Sequence, residues 1–348
     1  MCDRVTSMPT ISETIYAPEL EGGDWIAGGP IHLKELRKKA VALIDFWDYT
    51  CVNCIRTLPY VVGWDSRYRK DGLVVIGVHA PEFSFAREGS HVKDAAARFG
   101  LEYPIVSDRD YAIWRAYSNR FWPAKYLIDS RGRIRYYHYG EGSYAETETQ
   151  IQNALRELNP ALPAFPPPME PIRDSDQPGA VCYRVTPELY LGHARGNFGN
   201  PEAVVHDHPH EYRDPGRHME STAYLDGRWL VERECSRAEA ADATLRLRYT
   251  AREVNLVMAP AVGPPSTSGE GGQGVRSPVR VQISLSDGER PGADVKTVDG
   301  RPIINVDRPR MYNLVDNDEV NQGALELKAL DAGLAVFAFT FTSCTIAD

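Results

Sequence analysis

The chain has 348 residues, enough for two domains of ordinary size, and its 43% hydrophobic and 25% charged residues are those of a globular protein. A formal charge of −9, with Lys and Arg dispersed, gives no general attraction to nucleic acid or anionic membranes. No apolar run is long enough to span a bilayer. Residues 1–10 contain no apolar segment of the export-signal kind. Read literally, that places the product in the cytosol, unless an upstream start or a processed precursor precedes it.

Residues 1–23 read as a polar, irregular arm. Residues 40–47 (AVALIDFW) form an apolar run of strand length, and in residues 52–68 Ile55, Leu58, Val62 and Tyr68 recur at roughly helical spacing. Residues 73–79 (LVVIGVH) read as a second strand, whose unbroken apolar character suits a parallel sheet covered on both faces. A polar-faced helix over 88–99 ends at Gly100. A short strand over 103–106 and a helix over 110–117 follow. In "AKYLIDSRGRIRYYHYG" two strands are joined at Ser130-Arg131-Gly132, and from Tyr144 the residues Ile151, Leu155 and Leu158 predict a closing helix. The order β-α-β-α-β-α-β-β-α predicts an α/β domain over 24–158, a mixed sheet with helices on both faces.

Prolines crowd residues 159–180, which read as a linker. From 181 to 348 the pattern predicts an all-β sandwich or jelly roll. Its short strands are expected at 182–185, 221–225, 229–232, 244–249, 253–258, 279–285, 311–314, 324–330 and 335–341. The Gly-rich stretch 263–277 reads as a loop inside this domain. His206, His208, His210 and His218 would bind a metal only if their loop folded back. Pro209, Asp214, Pro215 and Gly216 favour a solvated loop there, so no metal site is assigned. Tyr212, Tyr224 and Trp229, with Asp207, Asp226 and Arg228, supply the side-chain types of a sugar site. Aromatic residues in strands are nonetheless more often core.

Six cysteines are too few for a disulfide-held scaffold of this size, and only Cys51 and Cys54 form a local pattern. The other four, Cys2, Cys182, Cys235 and Cys344, are expected to be buried or incidental thiols. For the C-x-x-C three readings stand: a zinc half-site, a structural disulfide, or a pair that opens and closes. Zinc calls for two further ligands at similar spacing, and no second C-x-x-C exists. A strand that delivers Cys51 to the first turn of a helix has a chemical use, because free amide groups and the helix dipole stabilise a thiolate there. Cys54, one turn on and deeper, could resolve the mixed disulfide that Cys51 forms. The placement favours the reversible pair.

"LIDFWDYTCVNC" resembles the active-site approach of thioredoxins, and especially of thioredoxin-like redoxins of the TlpA/DipZ type. The likeness continues through "TLPYV", "LVVIGVHAPEF", "YPIVSDRDYAIWRAY" and "FWPAKYLIDSRGRIRYYHYGEG", covering residues 24–158. The terminal portion, with "PELYLGHA", "LRLRYTAREVNLVMAP" and "VFAFTF", resembles the carbohydrate-binding-like β domain that follows in DipZ-type proteins. Their membrane-embedded electron-transfer part has no counterpart in this sequence. The resemblance implies a thiol–disulfide oxidoreductase that needs no cofactor, with Cys51 as nucleophile and Cys54 as resolving thiol. It makes Pro123 the cis-proline facing the sulfurs, with Trp122 beside it in substrate binding. Asp45 falls where thioredoxins carry a buried acid, and Glu82 matches an acid that follows the central strand in TlpA-like proteins; both are proton-handling candidates. Trp47 and Tyr49 are candidates for an aromatic shoulder around the pair. The implied partners are a protein disulfide or dithiol substrate and a redox protein that resets the pair, such as a membrane electron-transfer protein. Carbohydrate is a further, weaker partner. Working outside the cytoplasmic membrane is also implied, against the literal reading of the first residues.

This sequence departs from thioredoxins at Tyr49-Thr50, in place of a tryptophan before the first cysteine, and at Val52-Asn53, in place of Gly-Pro. Because the central dipeptide tunes thiolate stability, the direction of electron flow stays open. Two other readings remain: a peroxidase supported by Thr50 and Arg56, and a protein- or glycan-binding module whose redox domain has lost turnover.

Overall fold

The structure is a computed structural model that describes residues 15–260 and 277–346. Most of the expected arm, nearly all of the 263–277 loop, and Cys2 fall outside the described residues. The chain divides into two compact units, Met1–Glu170 and Pro171–Asp348. No helix among the described residues is long and apolar enough to cross a membrane.

The first unit runs β1 (Asp24–Ala27), α1 (Leu33–Leu36), β2 (Val41–Trp47), α2 (Val52–Tyr68), β3 (Leu73–His79) and α3 (Gly89–Arg98). It continues with β4 (Ile105–Ser107), α4 (Ala112–Ala116), β5 (Ala124–Ile128), β6 (Ile134–Tyr139) and α5 (Tyr144–Leu158). The sheet order is β1-β4-β3-β2-β5-β6, with β2, β3 and β4 parallel and β1, β5 and β6 antiparallel to their neighbours. Every residue of β2 is buried, because helices cover both faces of this central strand. Alternation assigns the faces. Val41, Leu43 and Trp47 pack with Leu58, Trp64, Ile151 and Leu155 of α2 and α5. Ala42, Ile44 and Phe46 pack with Leu33 and Ile113 of α1 and α4. The mixed α/β expectation holds; the short β1 lies at the edge and carried no strong apolar signal.

Residues 159–170 of the expected linker belong to this unit. Proline removes donors but leaves carbonyls, and these accept hydrogen bonds: Gln152 donates to the Pro166 carbonyl at 2.9 Å and Arg67 to that of Pro167 at 3.1 Å. Glu148, fully buried, ties the segment down. Its carboxylate accepts from Trp64 Nε1, Arg67, the Tyr68 hydroxyl and the Met169 amide at 2.6–3.1 Å.

The second unit holds β7 (Ala180–Cys182), β8 (Leu189–Tyr190), β9 (His210–Tyr212), β10 (Thr222–Val231), β11 (Ser236–Ala238) and β12 (Thr244–Pro260). Then come β13 (Val279–Leu285), β14 (Lys296–Val298), β15 (Arg301–Val306), β16 (Arg310–Ala329), β17 (Leu334–Thr342) and β18 (Cys344–Ile346). Strand order is β14-β15-β13-β16-β12-β10-β11-β17-β8, with β9 on β10, and the sheet closes on itself because β12 also pairs with β17. The first half of β12 pairs with β10 and its second half with β17. It is a barrel of the all-β class expected, with Leu225, Leu245, Leu256, Ile283 and Phe339 in its core.

Three pairs of expected short strands are each one long strand: β10, β12 and β16. Gly227, at φ 84°, bends β10 where its partner changes from β12 to β9 and β11. In β12 the register shifts between Ala251 and Glu253 and between Val254 and Asn255, so bulges turn the strand without ending it. Tyr212, Tyr224 and Trp229 are at most 2% exposed, so the rings weighed as a sugar surface are core. The cysteine reading is corrected in one place: Cys182 and Cys344, 162 residues apart in sequence, form a disulfide. Cys235 is a buried thiol, as expected.

Replacing Glu148 with Ala removes the acceptor for four donors, three on side chains and one on the backbone, and leaves buried groups unpaired. Urea denaturation should show the first unit destabilised by about 3 kcal/mol.

Candidate active site

β2 ends at Trp47, and the chain turns through residues 48–51 into α2. Asp48 builds the turn. Fully buried, its carboxylate accepts from the Thr50 amide at 2.6 Å, the Thr50 hydroxyl at 2.7 Å and the Glu82 amide at 2.6 Å. That carboxylate therefore joins the cysteine turn to the loop after β3. Burial pushes its pKa up, while the hydrogen bonds from Thr50 and Glu82 oppose the shift. Sequence reasoning passed over Asp48, although an Asp two residues before Thr in a turn is a known self-bonding pattern.

Cys51 is the N-cap of α2, and its Sγ accepts the Cys54 amide at 3.2 Å. Both cysteines are free thiols, Cys51 partly exposed and Cys54 fully buried. Burial pushes the Cys54 thiol well up, and the neighbouring Cys51 and Asp45 add to the rise. The outer sulfur is thus presented at a helix start and the inner one is held as a thiol behind it.

Asp45 lies on the face of β2 that packs against α2, by alternation with Leu43 and Trp47, and among the described residues neither carboxyl oxygen has a hydrogen-bond partner. Burial raises its pKa to about 7. Lys125 stands opposite in the β2–β5 register, is fully buried, and donates to the Gly140 carbonyl at 3.2 Å. Burial lowers the pKa of Lys125, against the pull of Asp45 and Cys54. Sequence reading missed it because it sits in an apolar run, yet a Lys inside "AKYLI" is the signal that would have found it.

The remaining expected residues are placed as follows. The Trp122-Pro123 bond is cis, Pro123 is buried at the start of β5, and Trp122 Nε1 donates to the Ala80 carbonyl at 2.9 Å. Because Ala124 pairs with Phe46, this loop lies at the same end of the sheet as the cysteine turn. Glu82 is half-buried beside Asp48 through its backbone. Trp47 and Tyr49 are at most 1% exposed and pack against His79, Tyr49 stacked and Trp47 edge-on. They therefore back the site and do not present rings around it. His79 is fully buried, with Nε2 3.9 Å from the Asp48 carboxylate and no hydrogen-bond partner on either nitrogen among the described residues, and burial lowers its pKa to about 3 and holds it neutral. Among the described residues no cluster of His, Cys, Asp or Glu has a metal-binding arrangement. In the second unit His206 stacks on His193, His210 packs edge-on to Tyr212, and His218 contacts Asp214 at 2.6 Å.

Residues 23–155 match the Redoxin family, and residues 186–342 match the family described as Thioredoxin like C-terminal domain. The first unit is thus a thioredoxin-like redoxin domain, and a distinct β-barrel domain follows it. The chain is 35% identical over 337 residues to Protein DipZ of Mycobacterium bovis and, equally, of Mycobacterium tuberculosis. These alignments cover 93% of this chain and 42% of each relative, so the chain spans less than half the length of the DipZ proteins it matches. Thiol-disulfide oxidoreductase YkuV of Bacillus subtilis is 29% identical over 140 residues, which are 40% of this chain and 94% of YkuV. The redoxin domain is therefore DipZ-related.

The raised Asp45 pKa has a stability consequence. Unfolded, Asp45 titrates near the ordinary carboxylate value of 3.8; folded, near 7. Between those values the native state holds a proton that the unfolded state has lost, so this group makes stability fall as pH rises through the window. Asp45→Asn removes the effect. Relative to wild type, the variant should gain about 2–3 kcal/mol of stability on going from pH 5 to pH 8. Urea midpoints at the two pH values measure it.

Proposed function

We propose that the Cys51–Cys54 pair exchanges electrons with protein disulfides. The observation that carries this reading is the partly exposed Cys51 at the start of α2, its Sγ accepting the Cys54 amide, with Cys54 buried behind it. In the reducing direction the Cys51 thiolate attacks a partner disulfide, and one partner sulfur leaves and takes up a proton. Cys54 then gives up its proton and attacks Cys51 in the mixed disulfide, releasing the second partner sulfur and closing the Cys51–Cys54 bond. Two electrons and two protons pass to the partner. A redox protein resets the pair, for which a membrane electron-transfer protein is our candidate.

Cys54, with its thiol pKa pushed up, needs a base at the second step. Asp45 fits that role, because its carboxyl near pH 7 takes and returns a proton at neutral pH. Lys125 is our candidate for holding that balance, since removing its charge would push Asp45 higher still. Glu82 is a second proton-handling candidate at the rim. We assign substrate binding to the Trp122-Pro123 segment, where an extended partner strand can lie beside the sulfurs. Trp47 and Tyr49 keep a supporting role behind it. We place the activity in a compartment that permits disulfides, a reading supported by the Cys182–Cys344 bond.

A peroxidase is less well supported. The Thr50 hydroxyl is donated to Asp48, and Arg56 is paired with Glu141 at 3.4 Å, so neither is presented to a peroxide.

The test is insulin reduction beside hydrogen peroxide consumption. Wild type should reduce insulin and Cys51→Ser should not, while Cys54→Ser should accumulate a mixed disulfide at Cys51. Turnover of peroxide without insulin reduction would overturn the assignment. A second expectation concerns pH: Asp45→Asn should slow release of the mixed disulfide about 10–100-fold at pH 8. Well below pH 7 the two proteins should converge, because wild-type Asp45 is then protonated as well; stopped-flow traces at both pH values measure it.

A further inference from the structure

The Cys182–Cys344 disulfide lies outside the barrel it belongs to. Its two cysteines are directly paired residues of β7 and β18, which form a separate two-stranded sheet. Neither cysteine belongs to the barrel core cluster, nor do Val181 and Tyr183. Residues 181–184 are all exposed, Val181 by 38% and Tyr183 by 50%, and Cys344 is partly exposed. Firm anchors stand on either side. Thr186, buried, exchanges hydrogen bonds with Thr250 of β12, its amide donating to the Thr250 carbonyl and its hydroxyl accepting from the Thr250 amide, both at 2.9 Å. Thr342, also buried, pairs with Glu253 of the same strand. The disulfide therefore bridges two short strands that take no part in the barrel's ladders, although β18 lies beside β16 and both strands lie beside the turn at residues 174–176.

Disulfides that protect a fold are generally inaccessible to reductants, whereas exposed ones are the labile and regulatory kind. Exposure is accompanied here by a recognisable form. β7 is extended and pairs only with β18 among the described residues, and the exposed Val181 and Tyr183 flank Cys182, Tyr183 just beyond the strand. An extended segment that no second described strand pairs with can be added to a partner's sheet edge, which would set its exposed disulfide against a partner dithiol.

We propose that Cys182–Cys344 is a second redox site, a substrate disulfide for a thioredoxin-type protein dithiol, and that its reduction unlatches β18 from β7 while the barrel stays folded. The donor thiolate attacks the Sγ of Cys182, the more exposed of the two residues. The Cys182–Cys344 bond breaks, and Cys344 leaves as a thiolate and takes a proton. The donor's second thiol then displaces Cys182, which is protonated in turn. Two electrons and two protons move from the donor dithiol to the pair, and the donor ends as a disulfide.

The experiment uses the full chain carrying Cys51→Ser and Cys54→Ser, so its outcome is independent of the first site. The oxidised protein is treated with thioredoxin kept reduced by thioredoxin reductase and NADPH, or with glutathione at equal thiol concentration. Alkylation and mass spectrometry locate the thiols released. Thioredoxin should open Cys182–Cys344 in native buffer at least about tenfold faster than glutathione. Hydrogen exchange should rise around 180–182 and 344–346 and stay unchanged in β12 and β16. A bond that opens only in denaturant, or no faster with thioredoxin than with glutathione, would overturn the proposal. So would loss of β12 and β16 protection on reduction. The full-length double variant Cys182→Ser, Cys344→Ser gives a second check: it should keep barrel protection, and a variant that does not fold would make the bond a structural staple and end the proposal.

Discussion

The first unit depends on one constraint: a strand buried on both faces must end at the surface and hand the chain directly to a helix. β2 meets it through the Asp48 carboxylate, which satisfies the amides that the turn would otherwise leave unpaired. Once that turn is fixed, Cys51 falls at the helix start and Cys54 one turn inward. The difference between the two sulfurs in exposure follows from the backbone. Their chemistry follows from the exposure.

The second consequence of a fully buried β2 is that any ionisable residue on it is strongly perturbed. Asp45 interrupts the apolar run on the face toward Cys54, and Lys125 meets it from β5. Desolvation drives the acid up and the amine down, so the two groups are brought toward neutral pH from opposite sides. A structural core would gain nothing from such a pair, since apolar residues of equal volume pack there without that cost. In the proposed exchange, where the Cys54 thiol must lose a proton, the pair would have a chemical use.

Much of this was legible in the sequence, and the failures have physical causes. The first unit showed clearly because each element keeps one period: alternation or continuous burial in β2 and β3, helical spacing in α2 and α5. The C-x-x-C position and Asp45 stood out against those patterns. Lys125 and Asp48 did not, one hidden in a run otherwise apolar and the other reading as an ordinary turn residue. The barrel was recognised as all-β, but its strands were cut at Gly227 and near Arg252, where bends and bulges imitate turns. Trp229 and the tyrosines were compatible with surface or core until burial decided. Cys182 and Cys344 are joined only by tertiary structure across 162 residues, and no local spacing encodes that.

The proposed exchange requires that Cys51 and Cys54 interconvert between dithiol and disulfide with other thiols. Equilibration of the full chain in graded mixtures of reduced and oxidised glutathione, with acid quench, alkylation and mass spectrometry of the peptide holding both residues, tests it most directly. The account predicts a reversible transition that gains or loses both thiols together, so that neither residue is alkylated alone at equilibrium. Thiols that remain separately alkylated in fully oxidising buffer, or that stop as stable glutathione adducts, would contradict it.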